Sequence, residues 1–245
     1  VLGNFDTNGY NISIFGDCFS SISNPVTCYN STTNGKGVWI NASGNITISA
    51  GSVLDGGRLG FPEDHGPGAG GTYGDSASHG GRGGGANGPT YGNMTMPTSL
   101  GSGGDDWPGG SAIKLQSDLG YVLVDGVINV RGGTTGTGRW SGSSGSIWLK
   151  AKNISGQGIL NATGGNGFNA GARGSGGGRI ALTALDTLEF SGIIDNRGGV
   201  DTDDGSLDAS GGTVYLNATT SIISHMNIST IGRVGGNITF EDTLL

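Results

Sequence analysis

The chain has 245 residues, 54 of them glycine and only 13% charged, and a net charge of −7. So few Lys and Arg residues cannot supply the basic surface that phosphate neutralisation requires, and no nucleic-acid partner is expected. No apolar run approaches a membrane span in length and no basic amphipathic helix is visible, so no membrane span is expected in the chain.

The chain opens at Val1 without an initiator Met or a signal peptide, as expected of a processed or excised polypeptide. Residues 1–35 read as an N-terminal strand and cap region. Asn11-Ile-Ser-Ile-Phe15 alternates like a strand, and Cys18 and Cys28 suit a disulfide closing a small loop in an oxidising compartment. The alternative is a pair of buried free thiols.

Residues 36–245 carry a long repeat. Ala-Ile113-Lys-Leu115, Ser-Ile147-Trp-Leu149, Arg-Ile180-Ala-Leu182 and Thr-Val214-Tyr-Leu216 follow one another at intervals of 34, 33 and 34 residues. The first three are each followed by a second motif: Gly126-Val-Ile-Asn-Val-Arg-Gly-Gly133, Gly158-Ile-Leu-Asn-Ala-Thr-Gly-Gly165 and Gly192-Ile-Ile-Asp-Asn-Arg-Gly-Gly199. His225-Met-Asn-Ile-Ser is a degenerate fourth copy. Val38-Trp-Ile40 with Gly51-Ser-Val-Leu-Asp-Gly-Gly57 is an earlier one, separated from Ile113 by a Gly-rich insertion at about 61–109. Each unit reads as two short strands of period-2 alternation closed by a Gly-rich return. One unit cannot bury its apolar face alone, but units stacked at about 4.8 Å place Ile over Ile and Leu over Leu. The expected fold is all-β, a parallel β-solenoid with coils of about 33–34 residues and Gly-rich connecting loops. Asn129, Asn161, Asp195 and Asn227 are expected to form one outward column on the second strand, and Trp39, Trp148 and Tyr215 to share the outward side of the first.

Asn-X-Ser/Thr triplets begin at Asn11, Asn30, Asn41, Asn45, Asn93, Asn153, Asn161, Asn217, Asn227 and Asn237. The middle residue is Ile in five of the ten and Ala in three. Alternation on a strand then puts the apolar residue inward and both acceptor-motif side chains in solvent, where a glycan disturbs nothing. A secreted, N-glycosylated, extracellular or cell-surface protein is expected.

The insertion and the units after it resemble a group of Gly-rich extracellular surface proteins of plants and protists. The resemblance rests on His79-Gly-Gly-Arg82-Gly-Gly, Tyr91-Gly92, Pro97-Thr-Ser-Leu-Gly-Ser-Gly-Gly104, Gly-Gly-Ser-Ala-Ile-Lys-Leu and Gly-Ser-Gly-Gly-Gly-Arg-Ile-Ala-Leu, spanning roughly residues 36–200. It implies a β-helical ectodomain at the cell surface or in the wall, and carries no catalytic residues across.

Chemistry-bearing patterns are sparse. Gly-X-Gly-X-X-Gly matches are expected by chance at this glycine content, and no helix follows them. His65, His79 and His225 are far apart in sequence, which argues against zinc. Asp201, Asp203, Asp204 and Asp208 form a carboxylate-dense loop that could hold calcium, against the reading of a solvated acidic loop. Asp195 and Arg197, with Arg131 and Asp125 near, are the candidates for a polysaccharide lyase or hydrolase, which would need paired carboxylates on one face. Trp39, Trp148 and Tyr215 could stack on sugars or form a protein interface, unless a return loop covers them.

No enzymatic activity and no cofactor are therefore expected. Asn11–Phe15 and the last residues, 234–245, both read as strands, and open ends that join head to tail build a filament. The leading expectation is a subunit of a glycosylated fibril or surface coat that self-associates. A segment of a larger carbohydrate-binding adhesin comes second, and a polysaccharide lyase or hydrolase third.

Overall fold

The computed structural model describes residues 3–10, 12–13, 18–21, 24–28, 37–70, 75–85, 88–134, 140–168, 171–202, 209–222 and 225–242. Among them there is no helix, and hence none long and apolar enough to cross a membrane. The strands are β1 (Phe5–Asp6), β2 (Ile12–Ser13), β3 (Cys18–Ser21), β4 (Asn24–Cys28), β5 (Gly37–Asn41), β6 (Ile46–Ile48), β7 (Val53–Asp55), β8 (Ala112–Val124) and β9 (Val127–Asn129). They continue with β10 (Ser146–Gly156), β11 (Ile159–Asn161), β12 (Arg179–Ala184), β13 (Thr187–Phe190), β14 (Ile193–Asp195), β15 (Thr213–Ala218), β16 (Ser221–Ile222), β17 (Asn227–Ser229) and β18 (Asn237–Asp242).

Two parallel sheets account for all of these except β3 and β4. The larger runs β1-β6-β8-β10-β12-β15-β18, with β5 also on β8, and β13 linking β10 to β16; the smaller runs β17-β14-β11-β9-β7-β2. The register is the one the repeat demands. Ile113, Ile147, Ile180 and Val214 face one another along the larger sheet, as do Leu115, Leu149, Leu182 and Leu216. Leu54, Ile128, Leu160 and Ile194 form the matching column of the smaller sheet. Both sets belong to one continuous buried core. Every Ile or Leu in it is removed from water and contributes roughly 1.5–3 kcal/mol.

The Gly-rich returns stack too, and here glycine is obligatory. A Cβ on Gly145 would collide with the carbonyl oxygen of Ser111, and one on Gly199 with that of Gly165. Across these returns lies the insertion, which has no strand among its described residues and is held by single hydrogen bonds. Gly81 N donates to Gly177 O (2.8 Å), Gly84 N to Gly174 O (2.8 Å) and Ser210 N to Arg82 O (2.7 Å).

Two expectations change. The last strand follows its predecessor by only 24 residues, Thr213 facing Asn237, because the return before β18 is short. Asn227 faces Ile193, so the outward column is Asp55, Asn129, Asn161, Asp195 and Ser229, with Asn227 two residues out of phase. The apolar Ile228 sets that register by stacking on Ile194. Near the N-terminus, β3 and β4 form an antiparallel pair that sets Cys18 opposite Cys28 and lies beside β5.

Candidate functional site

The first-strand column reads Trp39, Lys114, Trp148, Ala181, Tyr215, Thr239. Stacking inserts the Lys114 ammonium between two indoles, 3.7 Å from the centroid of Trp39 and 3.8 Å from that of Trp148. Burial, then the nearby Lys150, lowers the Lys114 pKa to about 8, while Asp118 and the two indole faces favour its charge. Tyr215 donates from its hydroxyl to Glu241 Oε2 (2.7 Å), tying β15 to β18; burial and that carboxylate raise its pKa to about 12. Of the two alternatives for these aromatics, exposed or covered, the structure shows the covered one for Trp148 and Tyr215. Trp148 and Tyr215 are buried, with Met94 of the insertion packed on their cluster, and only Trp39 is exposed, at 40%.

The insertion is locked by a cluster that sequence reasoning did not single out as a site. His79 is wholly buried; its Nδ1 donates to Ser144 O (2.8 Å) and its ring lies 4.6 Å from that of Tyr91. With Nδ1 donating to a carbonyl, Nε2 is the unprotonated nitrogen, and it has no hydrogen-bond partner. Burial, with the Arg179 guanidinium second, lowers the His79 pKa to about 3. Arg179 donates through Nε to Tyr91 O (2.7 Å) and through Nη1 to Thr213 Oγ1 (3.0 Å), while the Tyr91 hydroxyl donates to Leu100 O (2.6 Å). Burial raises the Tyr91 pKa further above its ordinary value. The motif residues His79 and Tyr91 are thus joints between the insertion and the stack.

Two clefts flank the smaller sheet. Before its strands, a groove of about 480 Å³ is lined by Asp125, Gln157, Glu189 and His225. After them, a cleft of about 310 Å³ is lined by Arg131, Thr134, Thr163, Asn166 and Arg197. The four residues considered for lyase or hydrolase chemistry are therefore divided between the two sides. Asp125 lies in the first, where Asp125 Oδ1 accepts from Gln157 N (3.1 Å). Asp195 is engaged by Arg197 in a two-pronged pair, with both contacts at 2.7 Å. That pair raises the Arg197 pKa.

Of the calcium candidates, Asp201 bridges Gly167, and Asp203, Asp204 and Asp208 lie outside the described residues. No group of three or more His, Cys, Asp or Glu among the described residues is placed to hold a metal ion.

The sequons follow the alternation rule where they sit inside the stack. Ala42, Ile46, Ile154, Ala162 and Ala218 are buried, and the asparagine before each is not. Ile228 is only partly buried, and Ile238 is 41% exposed on β18. Asn45 Oδ1 accepts from Tyr121 N (3.2 Å) and Asn153 Oδ1 from Thr187 N (3.1 Å), each fixing the backbone of the next unit. Asn93 Oδ1 accepts from Thr95 N (2.8 Å) and Asn161 Oδ1 from Thr163 N (3.1 Å). In all four the oxygen is engaged, and the nitrogen to which a glycan attaches takes no part in these bonds. Asn217 differs: its Nδ2 donates to Glu241 O (3.2 Å). Asn11 and Asn30 lie outside the described residues, while Asn41, Asn227 and Asn237 are at least partly open to solvent.

No protein-family model, curated protein or solved structure matches the chain.

Proposed function

We propose that the two parallel sheets and the stacked returns form a parallel β-solenoid, and that the chain is a structural extracellular N-glycoprotein. In this reading it is a subunit of a head-to-tail fibril or surface coat, related to the Gly-rich surface proteins it resembles. A disulfide between Cys18 and Cys28 belongs to the same proposal, as does the absence of an enzymatic role.

The observation that carries it is the state of β18. Ile238 continues the column of Val214, and Phe240 the column of Leu216. Both are exposed, at 41% and 58%. Among the described residues, β18 and β17 pair on one side only, as do β1 and β2 at the other end of the two sheets. Unpaired parallel edges with uncovered core columns call for a further parallel layer. A second copy whose β1 and β2 stack on β16 and β17, bringing its β5 column onto that of β18, would supply one, and such unlike ends joined without closure build a filament.

The test is sedimentation of the chain secreted from a glycosylating host, alongside Phe240→Asp. The wild type should pellet as polymer and the variant remain monomeric with unchanged β-sheet circular dichroism. A wild type that stays monomeric at every concentration would overturn the fibril. Terminal peptides of the native protein extending past Leu245 would instead favour a segment of a longer adhesin, with the continuing chain covering β18.

A further inference from the structure

We infer that the cleft following the smaller sheet is a binding site for an acidic saccharide, one bearing carboxylate or sulfate groups. The inference is independent of the fibril.

The chain is acidic, yet among the described residues this cleft is lined by two arginines and no carboxylate. Arg131 and Arg197 occupy one column, two repeats apart with Thr163 between them, so their backbones are separated by about two strand spacings, roughly 9–10 Å. Arg197 is preorganised. Asp195 engages its Nε and Nη2, which leaves Nη1 to donate elsewhere. Arg131 makes no salt bridge among the described residues and is exposed.

The remaining lining completes a donor-rich surface. Asn166 Oδ1 accepts from Val200 N (3.1 Å), which orients its Nδ2 as a donor. The hydroxyls of Thr134 and Thr163 donate internally, to Asn166 O and Asn161 Oδ1 (both 2.9 Å), and so retain lone pairs for incoming hydroxyl groups. Val200 adds an apolar patch suited to the C–H face of a sugar ring. Two guanidiniums, one of them held by Asp195, an amide donor, two hydroxyl acceptors and an apolar patch match an anionic sugar better than a bare anion. The repeat spreads these groups along the stack, so the ligand should be an oligomer with its acidic groups on successive sugars.

The experiment is titration calorimetry on the secreted chain with its N-glycans trimmed to one sugar, because Asn161 is bonded to Thr163 of the cleft lining. The probes are an oligogalacturonide for carboxylate, dextran sulfate for sulfate, inorganic sulfate, and neutral dextran. At least one acidic oligomer should bind tenfold or more tighter than neutral dextran and inorganic sulfate. Arg131→Gln should weaken that binding by roughly tenfold or more while leaving the thermal midpoint unchanged, since Arg131 is exposed. Which oligomer binds identifies the acidic group. Equal binding of acidic and neutral probes, no binding at all, or acidic binding indifferent to Arg131→Gln would each overturn the inference.

Discussion

Replacing His79 by glutamine tests how the insertion is held. In the folded chain the His79 pKa is lowered to about 3, by burial first and Arg179 second. An unfolded chain returns the ring to its ordinary value of about 6.5. Because the folded pKa lies below the unfolded one, protons bind preferentially to the unfolded chain as the pH falls. The contribution is whole above about pH 6.5 and is lost progressively down to about pH 3, at about 1.4 kcal/mol per pH unit. At pH 5 the loss amounts to about 2 kcal/mol. Glutamine keeps an N–H able to reach Ser144 O but does not titrate. Urea unfolding should therefore show the wild type losing about 2 kcal/mol more than His79→Gln between pH 7.5 and pH 5. Asp105, whose carboxyl pKa is raised by burial and by Asp64 and Asp106, is common to both proteins and cancels in the difference. Parallel losses would refute the buried, neutral imidazole.

The other expectations follow from the same packing. Trp148→Ala should cost about 3–5 kcal/mol as a buried large-to-small change, and Trp39→Ala, at an exposed position, under about 2 kcal/mol by chemical denaturation; equal costs would argue against an indole covered by the insertion. Gly145→Ala should destabilise by about 1–3 kcal/mol or more, since the added methyl meets the Ser111 carbonyl, and an unchanged midpoint would contradict the close stacking of the returns. Glycopeptide mass spectrometry of the secreted chain should find glycans at Asn93, Asn153 and Asn161, and unmodified peptides at all three would remove the glycoprotein reading.

The stack was legible because strand alternation leaves a strong trace. Ile113, Ile147 and Ile180 recur with Leu115, Leu149 and Leu182 at one spacing, and the same alternation placed Ile46 and Ile154 inward within their sequons. The slip at Asn227 came from aligning a polar residue where the apolar Ile228 sets the register. The position of Lys114 between Trp39 and Trp148 was implicit in the aligned columns, where a cation occupies the gap between two indoles. The seat of the insertion was not legible. Its contacts are backbone hydrogen bonds of Gly and Ser, which leave no periodic pattern, and its joints at His79, Tyr91 and Arg179 lie far apart in sequence. The cleft between Arg131 and Arg197 shows only once the two repeats are stacked with Thr163 between them.

Fibre diffraction from oriented material of the secreted, glycosylated chain tests the central claim most directly. Filaments built by stacking β16 and β17 of one copy on β1 and β2 of the next keep every strand perpendicular to the fibre axis. The expected result is a sharp meridional reflection at about 4.8 Å. Filaments whose 4.8 Å reflection lies off the meridian, or material with no axial order, would contradict end-to-end continuation of the sheets.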